Sequence, residues 1–414
     1  TIQSGRIKTS FASKLVGVTV AENEQGEIVF NLGSPNAFFE SSLDLPILPS
    51  HILKGVAPEL LLENKFSTRP VTSGAFTVNA TQNIGTDGEK IVYLTANPKY
   101  YKNKPLLDSF SIHAFLNIAD IKAAVKSGTV TATADLPSKF ASELNTTSLN
   151  EYQSSVNYGV FAFFNTESNL LKDKALRQAI RLGLNLNNLR TGLSGELPLD
   201  YPILDSQIES ITFPNIPKTD VTTARTEIEK LKAANSALST EKIRIITIKG
   251  DNYLEEFANR IASQLESLGL GATVSVYDSN QDFALNILRP RAYDLLVYEI
   301  GLGPDPDVIA YYHSLEASEN GHNLSNYKNS VVNDLLLSAR STMDSNLRAA
   351  KYQKFLEHWV DDVPAIGLYQ TTLPYFVNRN VRAFSQENRL VTSADRFVDI
   401  ENWATKKIIK NRTP

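Results

Sequence analysis

The chain has 414 residues, more than one hydrophobic core usually organises, and so predicts two lobes or domains. Its 41 basic and 45 acidic residues give a formal charge of -4 with no basic stripe, which argues against nucleic acid as a partner. The absence of cysteine excludes disulfides, thiolate metal sites and a cysteine nucleophile. No window approaches the roughly 18 apolar residues of a membrane helix, and the opening TIQSGRIKTS has no apolar core like that of a signal peptide. A chain that starts at Thr1 without Met is expected to have an upstream leader or domain outside it.

In chain order, LVGVTVAENEQGEIVFNLGSP places two alternating runs around Asn23-Glu24-Gln25-Gly26, a β-hairpin pattern. Phe38 and Phe39 and the run from Leu43 to Ile52, with Pro46 and Pro49, predict a short helix and an extended crossing. Strands follow after Pro70 to Phe76 and at Ile91 to Leu94, joined by a turn at Gly85-Thr86-Asp87-Gly88, and read as elements of a mixed sheet. A further strand spans Phe110 to Leu116, and Ala119 to Ser127 is helical up to Gly128, which suits a C′ position. Gly159 to Asn165 is aromatic and β-prone, and Asp173 to Leu184 is a helix with Leu176, Ile180 and Leu184 on one stripe. Leu193 to Pro217 is a long proline-containing loop of the kind that crosses between lobes or carries function.

The second half is more regular. Strand Ile243 to Ile248, helix Tyr253 to Leu268, strand Ala272 to Tyr277, helix Asp282 to Leu288 and strand Tyr293 to Ile300 make a βαβαβ unit, which implies a parallel sheet. Two helices, Val331 to Arg340 and Leu347 to Asp361, follow. The second is expected to face inward with Leu347, Phe355, Leu356, Trp359 and Val360, and a short strand runs from Ala365 to Tyr369.

Chemistry-bearing motifs are mostly missing. Gly192-Leu193-Ser194-Gly195 lacks the spacing of a nucleophile elbow, and no phosphate-cradling GxxxxGK[ST] is present. Asp278 to Asp282 begins like a calcium loop, but Phe283 and Arg289 stand where the turn glycine and the bidentate Glu are needed. The histidines His51, His113, His313, His322 and His358 lack metal-ligand spacing, and only His313 and His322 flank the loop described next. No metal, no cofactor and no enzymatic activity are therefore expected.

The stretch RPRAYDLLVYEIGLGPDPDVIAYYHS runs a buried strand into a loop stiffened by Gly301, Gly303, Pro304 and Pro306 and carrying Glu299, Asp305 and Asp307. In open α/β sheets ligands sit beyond the carboxyl ends of the strands, which makes this loop a candidate contact. Asp305-Pro306-Asp307 is equally readable as a turn followed by a helix capped by Asp307.

The order of motifs resembles the family 5 solute-binding proteins of ABC transporters, the peptide, dipeptide and nickel-binding group. PVTSGAFTV (Pro70 to Val78) looks like the family's GTGPY turn, and IVYLTANPKYYKNKPLLDSF (Ile91 to Phe110) like its RNPDYW…KP.LD signature. IKAAVKSGTV (Ile121 to Val130) looks like its AL..GEVD helix, and FFNTESNLLKDKALRQAIRLGLN (Phe163 to Asn185) like its FN…RQAI segment. YDLLVYEIGLGPDPD, NYKNSVVNDLLLSAR and VPAIGLYQ complete the order. The resemblance begins near Val16 and covers nearly the whole chain. Longer family members have a first strand and a small subdomain before that point, so the chain reads as N-terminally truncated.

What the resemblance implies is an α/β, two-lobed periplasmic-binding-protein-like fold (type II, cluster C) with mixed sheets flanked by helices. Residues 1–66 would be a remnant of the small subdomain, 67–185 with 378–414 lobe one, and 186–377 lobe two, with ligand enclosed between hinged lobes. The implied function is extracellular binding of an oligopeptide or peptide-like solute by a monomer that delivers it to an ABC permease. A ligand sensor or scaffold on the same fold is the alternative. The aspartate that receives a peptide's α-ammonium in such proteins corresponds here to Leu302 or Gly303, and the preceding tryptophan to Glu299 or Ile300. Candidate ligand residues are Asn165, Tyr298, Glu299, Ile300, Gly301, Leu302, Gly303 and Asp305, with the loop offering backbone groups to an extended peptide. The competing readings are that Asn165 closes a turn, that Tyr298 is core, and that Glu299 pairs with Arg289 or Arg291. Arg177 reads as a structural salt-bridge partner rather than a ligand contact.

Overall fold

The computed structural model describes residues 15, 17–44, 47–84, 88–134, 136–144, 148–250, 252–278, 280–383 and 390–406. The expected turn at Gly85-Thr86-Asp87, the proline Pro46, the start of the resemblance at Val16 and Ser279 of the calcium-like stretch lie outside them. In chain order the principal elements begin with strands β1 (Thr19–Glu22), β2 (Ile28–Asn31), β3 (Phe76–Asn83), β4 (Lys90–Ala96) and β5 (Ser109–Ala114). Helix α1 (Ile118–Ser127), β6 (Leu149–Phe164), α2 (Lys174–Gly183), β7 (Leu197–Pro198) and α3 (Val221–Ala234) follow. Then come β8 (Ile243–Ile248), α4 (Leu254–Ser267), β9 (Ala272–Tyr277), β10 (Leu295–Gly301), α5 (Ser330–Ser341) and α6 (Ser345–Asp362). Strands β11 (Ala365–Asn378), β12 (Val381–Arg382) and β13 (Ala404–Thr405) complete the chain.

The chain divides into two compact units. One takes Ser42–Val156 and the residues from Leu373 on; the other takes Gly17–Ser41 and Asn157–Thr372. The chain passes from unit to unit inside β6, after Val156, and inside β11, after Thr372. Local packing ties α2 to the second unit. Gly183 of α2 approaches its neighbours so closely that an added Cβ would meet Leu268 Cδ1 at 2.6 Å and Ala224 Cβ at 2.9 Å, which fixes α2 against α3 in the second unit.

In the first unit β3, β4 and β5 form an antiparallel meander of their own rather than part of a mixed sheet. Its apolar face is short: Phe76 and Phe110 pack with Phe397 and Trp403, ring centroids 5.5–6.2 Å apart. Helix α1 ends at Gly128 with φ +76, a left-handed cap that glycine adopts at little cost.

In the second unit a six-stranded sheet has the order β7-β11-β6-β10-β8-β9. Strands β8 and β9 are parallel from Ile243↔Ala272 to Ile248↔Tyr277, and β10 joins β8 in parallel at Leu295↔Ile245 and Leu296↔Ile246. This is the βαβαβ unit expected from its periodicity. Its other neighbour, β6, runs antiparallel to β10 from Leu295↔Phe164 to Gly301↔Tyr158. Both faces of the central strands are covered: Val160, Phe161, Ala162, Phe163, Leu295, Leu296 and Val297 are at most 1% exposed. That is why their sequences are continuously apolar. Helix α3 was not evident in the sequence, because only Ala224 and Ile228 of its 14 residues are buried. Helix α6 turns Phe355, Leu356 and Trp359 inward, but Leu347 is 61% exposed, since it stands in the first turn away from the core face.

The β1–β2 hairpin forms as expected, with Gly26 at φ +79 and the Asn23 side chain accepting from the backbone N–H of Gln25 and Glu27. Its chain continues into the second unit's core, where the Phe38 ring lies 6.3 Å from that of Tyr352.

Candidate functional site

Because β8 and β10 are parallel, their carboxyl ends emerge at one edge of the sheet, and the loops that follow them meet there. The loop after β10 is built largely by hydrogen bonds to its own carbonyl groups. Tyr311 donates its hydroxyl to Gly301 O at 2.6 Å, and burial pushes its pKa up to about 12. Asn157 Nδ2 donates to Gly303 O at 2.7 Å, while Leu302 N donates to Asn157 O at 2.7 Å. Gln207 Nε2 lies within 2.9–3.0 Å of three acceptors, the carbonyls of Leu302, Gly303 and Asp305. The amide of Gln207 thus pins the loop to the long segment before α3.

The two loop aspartates are also engaged. Asp305 accepts from Asp307 N at 3.0 Å and from the Ser41 hydroxyl. Asp307 pairs with Arg340 at 2.7 Å and accepts from Ile309 N at 3.3 Å; it is not the helix cap the sequence allowed, because the helix starts at Ile309 with Val308 in the cap position. Leu302, 3% exposed, belongs to the hydrophobic core, as does Ile300. Gly303 sits at φ +71 with open space where a Cβ would point. A loop whose carbonyls at Gly301, Leu302, Gly303 and Asp305 are already satisfied has few acceptors left for a peptide's N–H groups. Its rigidity comes from these contacts as well as from proline.

Asn165 is not part of this edge. It follows Phe164, which pairs with Leu295 at the amino end of β10, whereas the loop starts at Gly301, six residues along the ladder. At about 3.4 Å per residue the separation is about 20 Å. There Asn165 closes a buried network. Its Nδ2 donates to Arg291 O at 3.1 Å and Tyr293 O at 3.0 Å, and its Oδ1 accepts from Glu167 N and Asn326 Nδ2, both at 3.1 Å. Arg291 is held by the carbonyls of Leu288, Asn323, Ser318 and Gly321, so it does not pair with Glu299. Arg177, 5% exposed, donates to the carbonyls of Leu171, Lys172, Asp362 and Val363. Its role is structural as expected, but through backbone carbonyls rather than a salt bridge. His313 Nδ1 accepts from Leu315 N at 3.2 Å, and His322 is exposed.

Glu299 and Tyr298 leave β10 on opposite faces. The Tyr298 ring lies 5.6 Å from Phe283 and packs against the core, the reading its sequence allowed; burial, then the neighbouring Glu299 charge, raises its pKa. Glu299 accepts a hydrogen bond from the Thr371 hydroxyl of β11 and has no ion pair among the described residues. Burial lifts its carboxyl above the ordinary carboxylate range, and Thr371 only partly offsets that.

Around it gather polar atoms that sequence spacing could not have assembled. Tyr369, 1% exposed, has a hydroxyl without a hydrogen-bond partner of ordinary geometry. Burial, then the negative charge of Glu299, raises its pKa; a hydrogen bond from the Tyr253 backbone opposes this, and Glu196 and Glu256 add to it. Glu196 precedes β7, whose Leu197 pairs with Gln370, so it lies level with Thr371. Burial raises its carboxyl as well, and its Oε2 is buried without a partner. Asn252, in the loop after β8, has a buried Oδ1 without a partner, and the adjacent Tyr253 ring is 6.2 Å from Tyr369 at 90°. Four strands and one helix thus bring Glu196, Asn252, Tyr253, Glu299, Tyr369 and Thr371 together at the carboxyl edge. No three or more His, Cys, Asp or Glu side chains are grouped to hold a metal ion among the described residues.

The arrangement is a cluster of buried hydrogen-bond acceptors that includes two carboxyls. Unpaired, desolvated carboxylates favour either a proton or a cationic partner, and buried acceptors without donors favour a ligand that brings N–H groups.

Comparison with known proteins fits this architecture. The family described as bacterial extracellular solute-binding proteins, family 5 Middle, matches residues 5–323. Protein XP55 of Streptomyces lividans is 24% identical over 356 residues, covering 81% of this chain and 62% of its own. Oligopeptide-binding protein AppA of Bacillus subtilis is 23% identical over 365 residues, covering 83% of this chain and 65% of its own. The chain therefore spans just under two thirds of the length of either relative. The structure of that AppA with a nonapeptide superimposes with a TM-score of 0.75 at 20% identity, covering 96% of this chain and 80% of the other. NikZ of Campylobacter jejuni with Ni(L-His) gives a TM-score of 0.77 at 18% identity, covering 96% and 80%. No helix among the described residues is long and apolar enough to cross a membrane. With the α/β fold shared by these proteins and a family match over more than half of its length, the chain belongs to the bacterial extracellular solute-binding proteins, family 5.

Proposed function

We propose that the chain binds a short peptide or peptide-like solute carrying a cationic group at the carboxyl edge of its six-stranded sheet, outside the cell, and hands it to an ABC permease. The observation that carries this reading is Glu299: a carboxyl whose pKa is raised by burial, with the Thr371 hydroxyl as its one hydrogen-bond partner among the described residues, near the buried hydroxyl of Tyr369. A solute ammonium would supply the missing charge, and Glu196 Oε2 and Asn252 Oδ1 would accept its two remaining N–H bonds.

The position occupied by Leu302 is core and Gly303 has no side chain, so Glu299 takes the recognition role that a loop aspartate would otherwise fill. Gly303 leaves room beside the loop, and the carbonyls of Gly301 and Gly303 are already engaged. Binding acts by population shift: the solute stabilises the conformation it contacts best, and the permease accepts that conformation from a monomer. A micromolar solute contributes about -8 kcal/mol, enough to bias the equilibrium without preventing release.

The test is mass spectrometry of small molecules released by denaturing the freshly purified chain. A ladder of short peptides with free amines is expected. A single anionic or neutral non-peptide mass would replace the solute class, and an empty spectrum from cells grown on peptide-rich medium would favour a sensor or scaffold over a transport component.

A further inference from the structure

A cavity lies in the same unit, lined by none of the residues of the Glu299 cluster. Helices α2, α3 and α6 and the loop at Pro214 to Pro217 enclose a cavity of about 610 Å³, within the range of small-molecule sites. Much of its wall is apolar, from Ala179, Leu182, Leu231 and Val360 among others. Arg181 also lines it.

Arg181 differs sharply from Arg177, one turn earlier on α2. Arg177 spends its donors on four backbone carbonyls, whereas the guanidinium of Arg181, 7% exposed, has no hydrogen bond or ion pair among the described residues. Burial favours the neutral form of Arg181, and the nearest opposing influences are Asp200 and Tyr201. Asp200 is already paired with Arg190 at 2.7 Å. A buried charge is normally paired or fully hydrogen-bonded, because leaving it bare is costly.

The other charges on the wall cancel locally. Glu227 pairs with Lys230 and Glu357 with Lys354, each at 2.6 Å, and Asp361 pairs with Lys174. One positive charge therefore remains uncompensated at the wall of an otherwise neutral, mostly apolar cavity. That balance suits one negative charge and disfavours a polyanion, which would meet the rim carboxylates.

We propose that this cavity is a second ligand site, for an amphiphilic monocarboxylate whose carboxylate pairs with Arg181 and whose apolar body fills the space between α2, α3 and α6. It is independent of the solute site, since none of its lining residues belongs to the Glu299 cluster.

Calorimetric titration of the whole chain with octanoate, and with the uncharged octanamide, tests it. Saturable one-to-one binding of octanoate is expected, at least tenfold tighter than octanamide. Arg181→Met, which keeps an unbranched apolar stem and removes the guanidinium charge, should weaken octanoate at least tenfold. Ala175→Trp, at an exposed position on the cavity wall, should block octanoate while leaving Arg181 in place. Equal affinity for acid and amide, absence of saturable octanoate binding, or undiminished binding by Arg181→Met would overturn the proposal. Should Arg181→Met not fold, Ala175→Trp decides alone, and octanoate binding retained by that variant refutes the site.

Discussion

The two ends of β10 carry polar groups of the same kinds but treat them in opposite ways. At the amino end Asn165 makes four hydrogen bonds, Arg291 is held by four carbonyls and Tyr293 donates to Leu324 O at 2.6 Å. At the carboxyl end Glu196 and Asn252 each keep a buried oxygen without a partner among the described residues, and burial raises the carboxyls of Glu196 and Glu299. A satisfied network stabilises and specifies; an unsatisfied one costs free energy unless something else completes it. The contrast separates an asparagine held in a satisfied network from the edge proposed here as the binding site, although both sit on the same ladder.

The strongest way to test the structural end is to remove Arg177, whose neighbouring carbonyls would be orphaned. Arg177→Ala should lower unfolding free energy by at least about 3 kcal/mol in urea titration, and a loss under about 1 kcal/mol would show that water replaces it easily. Asn165→Ala should follow with about 2–3 kcal/mol, with no change in solute affinity in the variant that still folds. A large affinity change there would join the two ends that the ladder keeps about 20 Å apart.

The binding end should respond in the other sense. Glu299→Gln is expected to leave stability near neutral pH unchanged or higher while weakening a cationic solute about 10- to 100-fold, the range of a charge-assisted hydrogen bond. Its pH dependence has a defined sign. The folded pKa of Glu299 is raised, so its contribution to stability is fully present below the unfolded value of about 4.3 and is lost as pH rises through the folded value. Thermal melts of the solute-free protein should therefore fall over that window, and less so in Glu299→Gln, while affinity for a cationic solute should rise over it. Gly303→Ala should cost about 1 kcal/mol, because the loop holds φ +71 there even though space for the methyl is open.

How much was legible in advance follows the same division. Strands β8, β9 and β10 are buried on both faces, so their apolar runs announced them and the parallel unit between them. Strand β6 was read only over its last third, because Leu149 to Tyr158 alternates half-buried and polar residues before the aromatic run begins. Helix α3 escaped because its buried stripe is two residues wide. Glu299 was visible as an acidic residue at a strand end, but Glu196, Asn252 and Tyr369 come from three separate segments. Only the sheet order, with β11 and β7 on one side of β6 and β10 on the other, brings them near it. The place of Asn165 was not legible for a related reason: a polar residue ending an aromatic strand looks the same whichever end of the sheet it reaches.

The most direct test of the cationic-solute reading is retention of a pool of random tetrapeptides with free amino termini against the same pool acetylated, measured by mass spectrometry on the wild-type chain and on Glu299→Gln. The wild type should retain the free-amine pool preferentially, and Glu299→Gln should lose that preference while remaining folded. Equal retention of both pools by the wild type, or an undiminished preference in Glu299→Gln, would contradict the assignment of the carboxyl edge as the site that receives the solute's positive charge.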